Sequence, residues 1–141
     1  MKKSEIRETV FKVLFRYEFY DVETFRNQIN IFFATYPDDI EEDKCPPLDD
    51  RAVTEITQKV IDIISKIDVV DKCIADNCEG WKFERIGKAE LSILRIAVYE
   101  IMFENDLDNA VSISEAVILA KKYCDEKSYS FINGILAKII R

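Results

Sequence analysis

Basic side chains near the two ends of the chain are the residues whose type and placement could bind a polyanion. The first sixteen residues and the last twenty-one each carry three more bases than acids. On the first predicted helix, Lys3 and Arg7 lie at one edge of the apolar stripe, whereas Lys12 and Arg16 lie on the opposite, solvated face. Lys2, Lys3 and Arg7 are therefore our candidates for phosphate contacts. The alternative is that these cations only solubilise the chain.

The overall charge of the chain favours the opposite conclusion. The net charge is -7, from 20 Lys and Arg against 27 Asp and Glu, and this argues against a non-specific nucleic-acid binder. Residues 38–50 alone carry a net charge of -6. A local basic patch remains compatible with this balance if the two ends of the chain meet in space.

The cysteines do not form a metal-binding pattern. No two of them are spaced as in CxxC, and the chain contains no histidine, so we expect no metal site and no cofactor. The N-terminus lacks the apolar stretch of a signal peptide, and no apolar run approaches the roughly 20 residues of a membrane span. We expect reduced cysteines, a cytoplasmic location and no membrane contact. The four are Cys45, Cys73, Cys78 and Cys124.

The residues that enzymes use are also missing from the sequence pattern. There is no histidine, no glycine-rich loop to hold a phosphate, and no Ser or Cys nucleophile beside a base. Carboxylates are plentiful, but their pairs are adjacent or helix-spaced, which is typical of a solvated helix face. We therefore predict that the protein is not an enzyme and acts by binding.

Apolar residues recur every three or four positions along most of the chain, and only three Gly and three Pro interrupt them. This pattern predicts an all-α fold of about seven helices in two packed helical subdomains. The predicted helices cover about 4–20, 23–36, 50–67, 68–78, 86–105, 112–123 and 128–139.

An acidic segment divides the chain. Residues 37–50 hold all three prolines and seven acids against one lysine, and they are predicted to form an exposed linker. We expect one domain over 1–141, with an N-terminal subdomain at about 1–36 and a C-terminal subdomain at about 51–141. The two should share one continuous core, because neither has enough apolar surface to stand alone.

Local patterns also predict how some helices begin and pack. Ser4, Ser112 and Ser128 are candidate N-caps, and Ser112 with Glu115 fits a capping box. Gly134 lies inside the last helix at a cost of about 1 kcal/mol, which suggests close approach of a neighbouring helix. A second structural expectation is that Arg95, on a mostly apolar helix, forms an ion pair with a carboxylate at the edge of the core.

Two segments carry a family resemblance. The first runs from Trp81 through Arg85 to the sequence Leu94-Arg95-Ile96-Ala97 and Tyr99-Glu100. The second contains Ile113-Ser-Glu-Ala-Val117, then Ala120-Lys-Lys-Tyr123, then Ser128 and the run Phe131-Ile-Asn-Gly-Ile-Leu136. Their order and spacing resemble the NusB family, and the resemblance extends over essentially the whole chain.

This resemblance implies an all-helical transcription antitermination factor. Members of the family bind the boxA element of nascent ribosomal RNA as a heterodimer with NusE, a ribosomal protein of the small subunit. With RNA polymerase and other Nus factors, the complex helps transcription to pass terminators. Two alternatives stay open at this point: a helical protein-interaction module with weak or no RNA binding, and a homodimer that hides the binding surfaces.

The resemblance also implies where RNA would bind. In the family an arginine-rich N-terminal helix touches RNA, and here Lys2, Lys3 and Arg7 remain of that element. The second RNA element is the segment around the start of the last helix, where an aromatic ring can stack on an unpaired base. For Phe131 the alternative is core packing. The residues in this segment are Lys127, Tyr129, Ser130 and Phe131.

A basic partner would meet acidic side chains along the long helix 86–105 and just before it. Charge complementarity would steer the encounter and set the register. The alternative is that these residues form an ordinary solvated face. The candidates are Glu84, Glu90, Tyr99 and Glu100.

Overall fold

Helices provide the regular structure of this protein. The computed structural model describes residues 1–36, 48–78 and 80–140, and within these ranges there are seven α-helices and no strand. The predicted all-α class is therefore confirmed. None of these helices is long and apolar enough to cross a membrane. The helices are α1 (Lys3–Phe15), α2 (Val22–Thr35), α3 (Asp50–Ser65), α4 (Ile67–Asp76), α5 (Lys88–Phe103), α6 (Asn109–Tyr123) and α7 (Glu126–Ile139).

The chain divides into two compact units, Met1–Asp62 and Ile63–Arg141. The first contains α1, α2 and most of α3, and the second contains α4 to α7. Most of the predicted acidic linker lies outside the described residues. The predicted subdomain boundaries therefore stay a prediction.

In the first unit, α1 ends earlier than the apolar spacing predicts. It stops at Phe15 and is followed by a 3₁₀ turn, Arg16–Phe19. The Arg16 guanidinium lies 5.2 Å from the centroid of the Phe32 ring, a favourable cation–π distance. The prediction that Arg16 is solvated was wrong, because the turn redirects its side chain onto α2.

In the second unit, α5 is the central helix and packs against α4, α6 and α7. Every residue from Leu91 to Glu100 is buried, so this helix is enclosed around its whole circumference. Both ends of the helix reach the surface: Lys88 in the first turn is exposed, and Met102 in the last turn is 36% exposed. Side chains on α5 are thus held rigidly by three neighbouring helices.

A bidentate ion pair joins α5 to α4. Arg95 Nε and Nη2 donate to Asp71 Oδ1 and Oδ2 at 2.9 and 2.8 Å. The Arg95 side chain is 5% exposed and the Asp71 side chain 22%. The predicted structural ion pair of Arg95 is confirmed, and its partner lies 24 residues away in sequence.

Aspartates, not serines, cap the last two helices. The Asp108 carboxylate accepts a hydrogen bond from the Ala110 N–H, and the Asp125 carboxylate accepts one from the Ser128 N–H. Both predicted serine caps were wrong, because each aspartate precedes its serine and starts the helix about a turn earlier. Ser112 consequently lies inside α6, 1% exposed, and its hydroxyl has no hydrogen-bond partner among the described residues.

Ser4 is also not a cap, because α1 begins one residue before it. Glu5 accepts a hydrogen bond from the Lys2 N–H at 2.8 Å and satisfies a donor at that end of the helix.

The interpretation of Gly134 as a close-approach site was wrong. Gly134 is exposed, and a Cβ built on it would meet no atom within 4 Å. Packing among the described residues therefore does not explain a glycine in the middle of α7.

Gly134→Ala is expected to raise the free energy of unfolding by about 0.5–1 kcal/mol, because alanine restricts the unfolded chain and fits the open space. Urea unfolding followed by circular dichroism measures this. Gly87→Ala is the matched control: its Cβ would collide with the Glu90 carboxylate, so we expect a smaller gain or a loss. A destabilised Gly134→Ala protein would contradict the open space described here.

Candidate nucleic-acid interface

The first turn of α7 presents polar and basic groups to solvent. Asp125 caps the helix, and the hydrogen bonds from the Ser128 N–H and then the Ser128 hydroxyl lower the pKa of its carboxyl. Lys127 and Ser130 are exposed. The predicted RNA residues in this turn are therefore accessible, with a local geometry set by the Asp125 cap.

The two aromatic residues of the predicted RNA segment are half-buried and differ in their neighbours. The Lys121 ammonium lies 5.3 Å from the centroid of the Tyr129 ring. The ring of Phe131 packs against Trp81, with centroids 5.8 Å apart and ring planes at 54°. Since Trp81 is 53% exposed, Phe131 belongs to an aromatic pair at the surface and not to the inner core.

The predicted N-terminal RNA residues lie in the first unit and differ in exposure. Lys2 and Lys3 are exposed, whereas Arg7 is only 7% exposed and is held by interactions within the structure. Burial on this scale favours a structural role for Arg7. The accessible charge of this element comes from the two lysines.

A polar cluster anchors the start of α7 to the start of α5. The Ser128 hydroxyl lies 2.8 Å from Glu90 Oε1 and 3.0 Å from Asp125 Oδ1. The Cys124 thiol lies in the same cluster. Burial, the negative charge of Glu90 and a hydrogen bond to it raise the pKa of Cys124 to about 11. The predicted partner residue Glu90 is therefore half-buried and already hydrogen-bonded within the chain.

The other predicted partner residues do not share one surface. Glu84 is exposed in a 3₁₀ turn, Phe83–Arg85, before α5 begins. Tyr99 is 7% exposed, with its ring 5.7 Å from that of Phe103, and Glu100 is fully buried. A partner that docks on this arrangement can reach Glu84 and the edge of Glu90, but not Glu100.

No group of three His, Cys, Asp or Glu residues that could hold a metal occurs in the described ranges. Sequence reasoning quoted Trp81 as part of a motif but gave it no role. Two features of the sequence could have drawn attention to Trp81: it is the only tryptophan, and it follows directly after Gly80.

Comparisons of sequence match this chain to known proteins along its full length. The profile of the NusB family matches residues 4–141. The chain is 41% identical over 138 residues to the transcription antitermination protein NusB of Agathobacter rectalis, covering 98% of each. It is 36% identical over 140 residues to the NusB protein of Lachnoclostridium phytofermentans, covering 99% of each.

Comparisons of structure agree with this match. NusB of T. maritima superimposes with a TM-score of 0.77 at 30% identity, over 99% of this chain and 90% of that one. A chain from a crystal structure of antitermination factors NusB and NusE in complex with double-stranded RNA superimposes with a TM-score of 0.72 at 25% identity. That match covers 97% of this chain and 94% of the other.

Proposed function

This chain belongs to the NusB family, and from that membership we propose that it is a transcription antitermination factor that binds boxA RNA of ribosomal RNA operons together with NusE. The observation that carries this proposal is the 41% identity to a transcription antitermination protein over 98% of both chains. It acts by binding and not as an enzyme, in the cytoplasm, and in complexes with RNA polymerase and other Nus factors.

Each unit carries its own candidate RNA contacts. In the second unit the candidate contacts are a cation, a hydroxyl and two aromatic rings, from Lys127, Ser130, Tyr129 and Phe131. Lys127 and Ser130 are exposed. In the first unit, Lys2 and Lys3 supply phosphate contacts, and buried Arg7 supports the helix that carries them.

The partner supplies the charge that this chain lacks. With a net charge of -7, tight RNA binding by the chain alone is not expected, and a basic ribosomal protein restores the attraction to phosphates. Glu84 and the accessible edge of Glu90 form the acidic part of the partner surface. Because Tyr99 is 7% exposed and Glu100 is fully buried, their contribution is to the packing of α5 and not to direct contact with the partner.

The second candidate function is a protein-interaction module of the same fold with weak or no RNA binding. Two observations favour it: the negative net charge and the burial of Arg7. The two candidates differ in one measurable property, which is the preference for boxA over other RNA.

The test is a titration of fluorescently labelled boxA RNA with this protein, alone and with NusE, at two salt concentrations. We expect specific binding that tightens with NusE and weakens as salt rises, since each phosphate contact releases counterions. A Lys127→Ala variant should reduce both the affinity and the salt dependence. Sedimentation of the chain alone distinguishes a monomer from a homodimer.

Equal binding of boxA and a scrambled RNA, with and without NusE, would contradict the antitermination function. If NusE still bound in that case, the protein-interaction module would be the better description.

A further inference from the structure

Trp81 and Phe131 form an aromatic pair that lies at the surface of the second unit. Trp81 is 53% exposed, and its ring packs against that of Phe131, with centroids 5.8 Å apart. The residue before it, Gly80, has φ +70°, a conformation that favours glycine. The Trp81 N–H donates to the Cys78 carbonyl at 3.2 Å. The turn therefore holds the indole at the surface in a defined position.

Gly134 leaves open space on the side of α7 that carries Phe131. Gly134 lies one turn after Phe131 on the same side of the helix, and nothing in the described structure comes within 4 Å of where its side chain would be. This glycine costs the helix about 1 kcal/mol, and no packing contact among residues 1–36, 48–78 and 80–140 compensates for it. Such an open backbone gives room for a flat group to lie against the aromatic pair.

Basic side chains flank the pair on α7 and directly after Trp81, and the exposed Glu84 follows in the next turn. Lys127 lies one turn before Phe131 on α7, and Lys82 follows Trp81 directly; both are exposed. Lys138 lies farther along the same side of α7, close enough to Cys78 to lower its pKa, although burial of that thiol outweighs this effect. None of the α7 residues on this side, Lys127, Ser130, Phe131, Gly134 and Lys138, is acidic.

We propose that Trp81 and Phe131 form a stacking subsite for an unpaired RNA base, with Gly134 leaving room for the nucleotide and Lys82 and Lys127 meeting its phosphates. The subsite rests on the proposed RNA-binding function and adds Trp81, Lys82 and Gly134 to it. Aromatic rings flanked by cations suit a single-stranded nucleic acid, because every base has a face to stack and every phosphate a charge to pair. The exposed hydroxyl of Ser130, on the same side of α7 as Phe131, can hydrogen-bond the base edge.

Trp81 is also the reporter, since the chain has no other tryptophan. In complex with NusE, its fluorescence is titrated with boxA RNA, and the same titration of the Trp81→Phe complex serves as the blank. Anisotropy of labelled boxA RNA is followed in parallel. We expect Trp81 emission to be quenched and to saturate at the RNA concentration at which anisotropy saturates. Replacing the boxA bases by abasic sites one at a time should abolish the quenching at the stacked position.

Trp81→Ala is expected to weaken RNA affinity about tenfold, whereas Trp81→Phe keeps an aromatic ring and should stay within about threefold of the original. Phe19→Ala is the matched control, since Phe19 is 54% exposed but lies in the first unit. Its RNA affinity should not change. Circular dichroism of each variant checks that the fold is retained.

The outcomes separate this subsite from the wider function. Binding seen by anisotropy without quenching, and with unchanged affinity in Trp81→Ala, would overturn the subsite and leave the proposed function intact. A Trp81→Ala complex with normal RNA affinity but weakened NusE affinity would assign the pair to the protein partner and also overturn it. An absence of RNA binding in every condition would remove the proposed function and the subsite together.

Discussion

Asp71→Ala is expected to lower the free energy of unfolding by about 3 kcal/mol. The substitution leaves the Arg95 guanidinium 5% exposed and without its bidentate carboxylate. An uncompensated charge in the interior typically costs about 3–5 kcal/mol, and the partial exposure of Asp71 places the effect at the low end. Urea unfolding followed by circular dichroism measures the loss.

The neighbouring ion pair on α4 is the control. Lys72 Nζ lies 2.9 Å from Asp76 Oδ2, but the two side chains are 76% and 60% exposed. Water and salt screen such a pair, so Asp76→Ala should leave the unfolding midpoint nearly unchanged. If Asp71→Ala cost no more than Asp76→Ala, the ion pair of Arg95 would not stabilise the packing of α4 on α5.

A double substitution tests the cause of the loss. Asp71→Leu combined with Arg95→Met removes both charges and fills the same space with apolar groups, a replacement that is often neutral. We expect it to recover much of the stability lost in Asp71→Ala. Failure to recover would indicate that Arg95 is held mainly by its other contacts within the second unit.

Cys124 is expected to react roughly 50-fold more slowly with iodoacetamide in the folded protein than in the urea-unfolded protein at pH 9. Burial, the charge of Glu90 and the hydrogen bond to it raise the pKa of this thiol from 9.0 to about 11. At pH 9 about half of an unperturbed thiol is ionised, against about 1% of one with a pKa near 11, and only the thiolate reacts. Peptide mapping by mass spectrometry gives the rate at Cys124 separately from the other cysteines.

The same shift affects stability at alkaline pH. Because the pKa is higher in the folded state, the folded state holds the thiol proton more tightly than the unfolded state does. The stabilisation is fully present below about pH 9 and is lost as pH rises through about 11. Glu90→Gln removes the charge and should make Cys124 alkylation faster, and equal rates in the two proteins would show that Glu90 does not control the thiol.

Some features followed from residues that are close together in sequence. The helices lie near their predicted positions, because apolar spacing at three and four residues describes one face of a helix without reference to the rest of the chain. The helix starts were less predictable. Ser112 and Asp108 are both good capping residues, and which of them caps α6 depends on where the preceding turn ends.

Features of the candidate site depended on residues far apart. The sequence predicted that Arg95 needs a carboxylate, but only the packing of α4 on α5 identified Asp71. Glu100 was expected on a partner surface and is fully buried, because three helices surround α5. Trp81 enters the proposed stacking subsite only because the fold places its ring against Phe131, 50 positions later in the chain.

The sequence by itself determined the helical class, the approximate helix positions and, through the resemblance, the family. These properties reside in interactions within one or two helical turns and in the order of a few motifs. Only the tertiary structure decided which charged and aromatic side chains remain accessible to RNA or a partner. Accessibility is set by contacts between distant segments, and a periodic pattern carries no information about which distant segment will cover a given face.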